Sequence, residues 1–125
     1  MHIEDVMNAD MLTVDSEATL REAAQRMSER NAGAALVVGP NIGTQPGIIT
    51  ERDVLNSVAA GQDPNGQRVA DNSTADVVTV TVDASLEQAV QKMTEGDFRH
   101  LLVVHGDEVV GIVSMRDLVR GLTSR

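Results

Sequence analysis

The chain has 125 residues and a net charge of −9, and 42% of its residues are hydrophobic, with no cysteine and Phe98 as the one aromatic residue. Nucleic acids and anionic membranes are bound through clustered Lys and Arg, so this composition excludes both as partners, and a chain without cysteine has no disulfide or thiolate chemistry. No stretch reaches the roughly 18 apolar residues of a membrane span, and the N-terminus lacks the pattern of a secretory signal. We therefore expect a cytoplasmic protein.

The sequence contains an internal repeat. Thr13–Val38 aligns with Thr79–Val104, and Gly47–Leu55 aligns with Gly111–Val119, with apolar and capping residues at matching positions. An internal repeat indicates one supersecondary unit used twice, and neither half is long enough to bury a good core alone. The sequence thus predicts a pseudo-twofold body with a paired cleft.

The first copy begins with a strand and a helix. Met11–Val14 is a short apolar stretch that predicts a strand, and Thr19 and Glu22 form the T-x-x-E pattern of a capping box, which predicts the start of a helix. An apolar stripe at i, i+3, i+4 and i+7 continues that helix, and its members are Leu20, Ala23, Ala24 and Met27. We expect Asn31 and Gly33 to end the helix.

Two further strands and a second helix complete the first copy. Ala35–Val38 is apolar throughout, which predicts a strand buried on both faces. After the turn-forming stretch Gly39–Pro46, a strand is predicted at Gly47–Ile49 and a helix at about 51–60, with Gly61 placed for a C-terminal cap. The unit is therefore β-α-β-β-α.

The second copy repeats this order, with a capping box at Ser85 and Gln88 and a last helix that starts at Met115. Its later strands are predicted at Leu101–Val104 and Gly111–Val113. Between the copies, Gly61–Ser73 is rich in turn-forming residues and is expected to be a linker, the least core-like stretch of the chain. We place the boundary near residue 66, with the first repeat at 1–65 and the second at 66–125.

Each copy carries the same polar signature directly after a Gly-Ile-apolar strand, Thr50-x-x-Asp53 in the first and Ser114-x-x-Asp117 in the second. One interpretation is structural, because a hydroxyl at the N-cap and an acid three residues later cap a helix and suit its dipole. The other is functional: the carboxylate accepts hydrogen bonds from a ribose diol, and the helix N-terminus and a nearby arginine favour a phosphate. An arginine at the intervening position of both copies favours ligand binding, and one residue can serve both ends.

The segments GIITERDVL and GIVSMRDLV resemble the signature that closes CBS domains, a family named after cystathionine β-synthase whose domains occur as tandem pairs. NAGAALVV and GDFRHLLVV are similar to the start of that family's second strand. The resemblance covers essentially the whole chain and is to a stand-alone pair. It implies an α/β (α+β) fold in which two β-α-β-β-α repeats, related by a pseudo-twofold axis, pack through their sheets. It also implies clefts for AMP, ADP, ATP, S-adenosylmethionine or an NAD-type ligand.

Carried over position by position, the resemblance implies a nucleotide-binding set. Its aspartates hold ribose hydroxyls, the hydroxyl residue before each aspartate bonds the ribose or the phosphate, and the start of the middle strand lines the adenine pocket or faces the phosphates. The arginine before each aspartate is a helper. The set is Gly33, Ala34, Ala35, Thr50, Arg52, Asp53, Arg99, His100, Leu101, Ser114, Arg116 and Asp117.

The two copies differ where phosphate is expected. The resemblance implies that Arg99 and His100 face the phosphates in the second copy, and Gly33 and Ala34 stand at these positions in the first. We therefore expect the site around Asp117 to bind phosphate better than the first site. A nucleotide in the first site needs cations from the other half or from a partner subunit.

The chain offers little for catalysis or metal binding. It has no Gly-rich phosphate loop and no nucleophile elbow, and its three histidines lack metal-ligand spacing, so we expect neither an enzyme nor a metal site. Phe98 is interpreted as a core residue in preference to an adenine-stacking ring. The expected function is a regulatory sensor for an adenosine nucleotide, with magnesium if the ligand is ATP, that forms a homodimer and acts on an unidentified effector protein. The alternative is a ligand-free interaction module or an accessory subunit.

Overall fold

The computed structural model describes residues 1–40 and 45–124, so the predicted turn region at 39–46 lies partly outside the described residues. A short 3-10 helix at Ile3–Asp5 precedes the main strands and helices. In chain order these are β1 (Thr13–Asp15), α1 (Leu20–Arg30), β2 (Ala34–Val38), β3 (Gly47–Thr50), α2 (Glu51–Ala59), β4 (Thr79–Thr81), α3 (Leu86–Gly96), β5 (His100–His105), β6 (Glu108–Ser114) and α4 (Met115–Thr123). The predicted β-α-β-β-α order is confirmed in both repeats, in a mixed α+β architecture.

Each repeat contributes one three-stranded sheet, with strand orders β1-β2-β3 and β4-β5-β6. In both sheets the first two strands run parallel and the last two antiparallel. Parallel neighbours need a crossover connection, which α1 and α3 provide. The registers are equivalent, since Thr13 lies opposite Leu36 and Thr79 lies opposite Leu102. The sheet of each repeat is therefore built on the same plan.

The crossover helices begin at the predicted hydroxyl caps. Thr19 Oγ1 accepts the Glu22 N–H at 3.1 Å, and Ser85 Oγ accepts the Gln88 N–H at 3.1 Å. In α3 the box is reciprocal, because the Ser85 N–H donates to Gln88 Oε1 at 2.8 Å. In α1 the Thr19 hydroxyl instead donates to Glu22 Oε1 at 3.2 Å, and the Glu22 carboxylate does not accept the backbone N–H of Thr19. Asn31 ends α1 in the left-handed region, with φ 51°.

Each crossover helix buries its predicted apolar stripe against its own sheet. The residues of α1 that are buried in the first core are Leu20, Ala23 and Met27, and the equivalent residues of α3 in the second core are Leu86, Ala89 and Met93. Phe98 is half-buried against the second core, as the sequence predicts, and its ring lies against Gly96. No helix among the described residues is both long and apolar enough to cross a lipid bilayer.

The chain forms two compact units that exchange the leading segments of the two sequence halves. One unit is Leu12–Val77, and the other combines Met1–Met11 with Val78–Arg125. Ile3 is fully buried in the core of the latter unit, and Val69 is fully buried in the core of the former. The turn-rich linker was expected to be the least core-like stretch of the chain. That expectation is wrong for Val69, because its side chain is fully buried in the core of the unit Leu12–Val77.

The two leading segments are held by equivalent backbone hydrogen bonds. The Ile3 N–H donates to the Ala84 carbonyl at 3.0 Å, and the Val69 N–H donates to the Ala18 carbonyl at 2.8 Å. The sequence repeat divides the chain into 1–65 and 66–125, whereas each compact unit also includes the leading segment of the opposite half. The chain therefore passes from one unit to the other more than once.

Candidate functional site

In the first repeat, the candidate site is the junction where β3 continues directly into α2. Thr50 ends the strand and caps the helix, with Oγ1 accepting the Asp53 N–H at 3.3 Å. Asp53 Oδ2 accepts both the Thr50 N–H at 2.8 Å and the Thr50 hydroxyl at 3.1 Å. The predicted capping box is therefore present and reciprocal. Among the described residues, Asp53 Oδ1 accepts no hydrogen bond, so half of this half-buried carboxylate is open to another donor.

The second repeat builds the same junction between β6 and α4. Ser114 Oγ accepts the Asp117 N–H at 3.1 Å, and the Ser114 N–H donates to Asp117 Oδ2 at 2.9 Å. The Ser114 hydroxyl proton, unlike that of Thr50, is not donated to the aspartate. Within the described part of the chain, Asp117 Oδ1 also accepts nothing. This junction therefore offers one free carboxylate oxygen and one hydroxyl donor.

The start of the middle strand lies beside each junction. Ala34 pairs with Thr50 across the antiparallel strands, and the Gly33 carbonyl accepts the Glu51 N–H at 3.0 Å. The sequence-predicted residues of the first repeat are thus brought together within one unit. The side chain of Ala35, one position further along β2, is fully buried in the core, which leaves only its backbone for any ligand.

The second repeat gathers its predicted residues in the same way. His100 pairs with Ser114, and the Arg99 carbonyl accepts the Met115 N–H at 2.9 Å. Arg99 is exposed and His100 is half-buried. Leu101 is fully buried, as Ala35 is. The backbone geometry of the two junctions is therefore equivalent, and their side chains differ.

The helper arginines lie in the first turn of each helix. Arg52 and Arg116 are exposed, and neither guanidinium forms a hydrogen bond or an ion pair with another residue that the structure describes. A guanidinium with all its donors facing solvent is suited to an anionic ligand, because it forms strong charge-assisted hydrogen bonds. Both arginines are therefore available for the predicted role of binding a phosphate.

Sequence reasoning missed one side chain at the first junction. The Glu51 carboxylate lies against Gly33, with its Cδ and Oε1 each 3.6 Å from the position that a Cβ on Gly33 would take. Met115 holds the equivalent position in the second repeat. The signal was available, since the exchange of Glu51 for Met115 is the one gross difference between the two signature segments. An exposed acidic residue in the first turn of a helix is already explained by its interaction with the helix dipole. No pattern in the sequence therefore indicated that the Glu51 carboxylate lies beside Gly33.

Two other features of the described residues give no candidate site. An open surface depression of about 640 Å³ lies along β4 and α3, but it contains none of the predicted residues, and Lys92 Nζ at its edge already donates to the Thr79 carbonyl at 2.8 Å. Among residues 1–40 and 45–124, no three His, Cys, Asp or Glu side chains are grouped so as to hold a metal ion. The two junctions therefore remain the candidate site.

Comparison with known proteins agrees with this architecture. The CBS domain model matches residues 3–60 and again residues 69–124. The chain belongs to the CBS domain family. The CBS domain-containing protein YhcV of Bacillus subtilis is 36% identical over 118 residues, which cover 93% of this chain and 81% of that relative. The resemblance stated from the signature segments is thus confirmed.

Solved structures of CBS domain proteins share the fold over almost the whole chain. A CBS-domain-containing protein from Agrobacterium tumefaciens superposes with a TM-score of 0.86 at 30% identity, covering 97% of this chain and 92% of that one. A hexameric CBS-CP12 protein from bloom-forming cyanobacteria gives 0.88 at 26% identity, covering 96% and 71%. A protein from Pyrobaculum aerophilum complexed with AMP gives 0.82 at 23% identity over the full length of both chains. At that identity the likeness concerns the fold alone.

Proposed function

We propose that this CBS-pair protein is a regulatory sensor that binds an adenosine-containing ligand, such as AMP, ADP or ATP, at its two strand–helix junctions. One observation carries the proposal. The carboxylate of Asp117 caps α4 with Oδ2 only, and Oδ1 accepts no hydrogen bond from any described residue. A purely structural cap uses an aspartate in this way, but the free oxygen beside a Ser114 hydroxyl whose proton is not donated to the aspartate matches what a ribose diol requires.

Charge supports a phosphorylated ligand at the second junction. Arg99 and Arg116 are both exposed there, and the N-terminus of α4 adds a partial positive charge. A small phosphate ester needs only a few cations to bind, whereas a polyanion is repelled by the net charge of −9 of the whole chain. We therefore favour a nucleotide over a nucleic acid, with magnesium as an accompanying ion only if the ligand is ATP.

The sensor would act through the relative stability of its states. A ligand shifts a conformational equilibrium only by the difference between its affinities for the two states. The clefts expected between the repeats, the cytoplasmic location and the effector protein stay predictions. Catalysis is not part of the proposal, because the junction side chains are accounted for by capping and by ligand binding.

Self-association is part of the proposal. Leu55 and Val58 of α2 are 64% and 49% exposed, and Val119 at the matching place in α4 is 50% exposed, with half-buried Leu122 beside it. The same apolar pair on both repeats supports a surface that a second copy covers in a homodimer. The similar cyanobacterial protein is hexameric.

A second function is favoured by the capping geometry itself. The reciprocal boxes at Thr50 and Ser114 fully explain why these residues occur, even without a ligand. Together with the exposed apolar pairs on α2 and α4, this supports an interaction module that acts through protein contacts alone. Binding measurements separate the two functions.

Thermal melting with AMP, ADP, ATP, S-adenosylmethionine and NADH in turn tests the proposal. A ligand at about 100 times its dissociation constant adds about 2.7 kcal/mol, which is several degrees for a domain of this size. We expect Asp117→Ala to abolish the shift more completely than Asp53→Ala. Ser85→Ala is the matched control, because it removes a cap from the same unit and should lower the melting temperature while leaving the ligand shift intact. If no ligand moves the wild-type melt, the interaction module is the better account.

A further inference from the structure

Counted over the first turn of the junction helix and the start of the middle strand, the two junctions carry opposite net charges on the same backbone frame. The first has the carboxylates of Glu51 and Asp53 against the guanidinium of Arg52. The second has two guanidinium groups, Arg99 and Arg116, against the one carboxylate of Asp117, and the neutral Met115 replaces the glutamate. Because the helper arginine and the aspartate occur in both repeats, they cancel in this comparison. The difference lies in the residues at the start of the middle strand and in the glutamate.

The position of the Glu51 carboxylate shows which part of a ligand this charge difference would affect. Gly33 has no side chain, and the Glu51 carboxylate lies against it, with its three terminal atoms within 3.9 Å of where a Cβ would be. At the equivalent position of the second repeat, the side chain of Arg99 begins. The place from which a guanidinium extends in one repeat is thus next to a carboxylate in the other. A phosphate brought to both places meets attraction at one and repulsion at the other.

We propose that the first junction selects an adenosine ligand whose 5′ substituent is uncharged or cationic, and that Glu51 is the residue that determines this specificity. The inference rests on the proposed function, and it names a different ligand class for the first junction than for the second. Asp53 holds the ribose hydroxyls through its free Oδ1, and Glu51 faces the 5′ substituent. One chain therefore binds two chemically different ligands at the same time.

The test uses three probes: adenosine, the cation 5′-amino-5′-deoxyadenosine, and AMP. With the second junction disabled by Asp117→Ala, calorimetry should show adenosine and the amino derivative binding about tenfold or more tightly than AMP, which is the scale of one unscreened charge contact. Adding Glu51→Gln, which removes the charge and keeps the shape, should bring AMP to within about threefold of adenosine. The discrimination should also shrink between about 50 and 500 mM salt, since exposed charges are screened.

Matched variants separate charge at the junction from charge elsewhere. Glu108→Gln changes the net charge equally at the far end of β6 from Ser114, and it should leave the preference unchanged. Met115→Glu, measured with Asp53→Ala, should weaken AMP about tenfold at the second junction and spare adenosine. If Asp117→Ala does not fold, wild type kept saturated with AMP is titrated with adenosine, and one further equivalent of adenosine should bind.

The outcomes distinguish the inference from the function on which it rests. If no adenosine ligand binds wild type, both fall. If AMP binds at the Asp117 junction but the first junction binds AMP as well as adenosine, or binds nothing, the inference is overturned and the proposed function stands. Equal effects of Glu51→Gln on all three probes would show a structural role for Glu51 and would also overturn it.

Discussion

The two repeats have equivalent backbone hydrogen bonds at their leading segments and junctions, and they differ in the side chains at the helix starts. The leading segments enter the cores through equivalent bonds, and both junction helices begin with a reciprocal cap. At the same junctions, Glu51 and Gly33 in one repeat stand where Met115 and Arg99 stand in the other. The fold therefore constrains register, caps and buried apolar positions, while it leaves the charges at the helix starts free to differ. Two halves can therefore fold alike and bind differently.

The largest expected effect concerns the exchanged leading segments. Ile3→Ala should lower the free energy of unfolding by about 2–5 kcal/mol, because it deletes a fully buried side chain and leaves a cavity. Val69→Ala removes less volume and should cost about 2 kcal/mol. Hydrogen exchange should show lost protection mainly in Val78–Arg125 for Ile3→Ala and mainly in Leu12–Val77 for Val69→Ala.

An exposed apolar residue provides the control for this pair. Val38, 41% exposed at the end of β2 and outside the apolar pairs on α2 and α4, should change stability by less than about 1 kcal/mol on replacement by alanine. The exchange of leading segments is contradicted if Ile3→Ala loosens Leu12–Val77 while Val78–Arg125 keeps its protection. In that case each leading segment would pack on its own half in solution.

An intermediate effect on the free energy of unfolding is expected at one buried position where α2 and α4 carry different residues. Ser57 in α2 has Gly121 as its counterpart in α4, and a Cβ on Gly121 would lie 2.7 Å from Val6 Cγ1 and 2.9 Å from Leu86 Cδ1. Gly121→Ala should therefore lower the free energy of unfolding by about 1–3 kcal/mol through overpacking. Alanine is otherwise preferred over glycine in a helix by about 1 kcal/mol. Denaturant unfolding measures the net effect.

A second substitution checks the cause. Val6→Ala removes the methyl group nearest to the new Cβ, so the double variant should lose less than the sum of the two single variants. Strict additivity would mean that the leading segment moves away from α4 without cost. Packing against Val6 would then not explain why position 121 is a glycine.

Most of the fold could be predicted from the sequence because two independent signals agree. The apolar stripe of Leu20, Ala23 and Met27 and the hydroxyl cap at Thr19 both indicate one helix, and the second copy repeats them. The exchange of leading segments could not be predicted. Alignment shows that Ile3 and Val69 are equivalent, but it carries no information on which core each side chain enters. A turn-rich composition around Val69 also conceals one buried residue.

The candidate site was predictable in its residues and not in its electrostatics. Asp53 and Asp117 stand out because both copies carry them after a strand, and the structure places each one beside the start of the middle strand within its unit. The Glu51 carboxylate escaped notice because its orientation over Gly33 depends on the side-chain conformation, which no spacing rule fixes. A mismatch between two otherwise similar segments was the sole indication.

The smallest expected effect concerns a buried serine of the first repeat that the second repeat lacks. Ser16 is fully buried, and its Oγ has no hydrogen-bond partner among the described residues, whereas the second repeat has Val82 at this place. Ser57, the other buried serine, donates to Gln62 Oε1 at 2.6 Å. An unpaired buried hydroxyl carries a desolvation cost that a paired one offsets.

Replacing each serine by alanine should therefore lower the stability for Ser57 only. Ser16→Ala should leave the free energy of unfolding unchanged or raise it by up to about 1 kcal/mol, and Ser57→Ala should lower it by about 1 kcal/mol. Urea unfolding resolves this difference when both variants are measured in parallel. A loss at Ser16 as large as that at Ser57 would mean that its hydroxyl is hydrogen-bonded in solution, and the first repeat would then hold a buried polar contact that the second replaces with apolar packing.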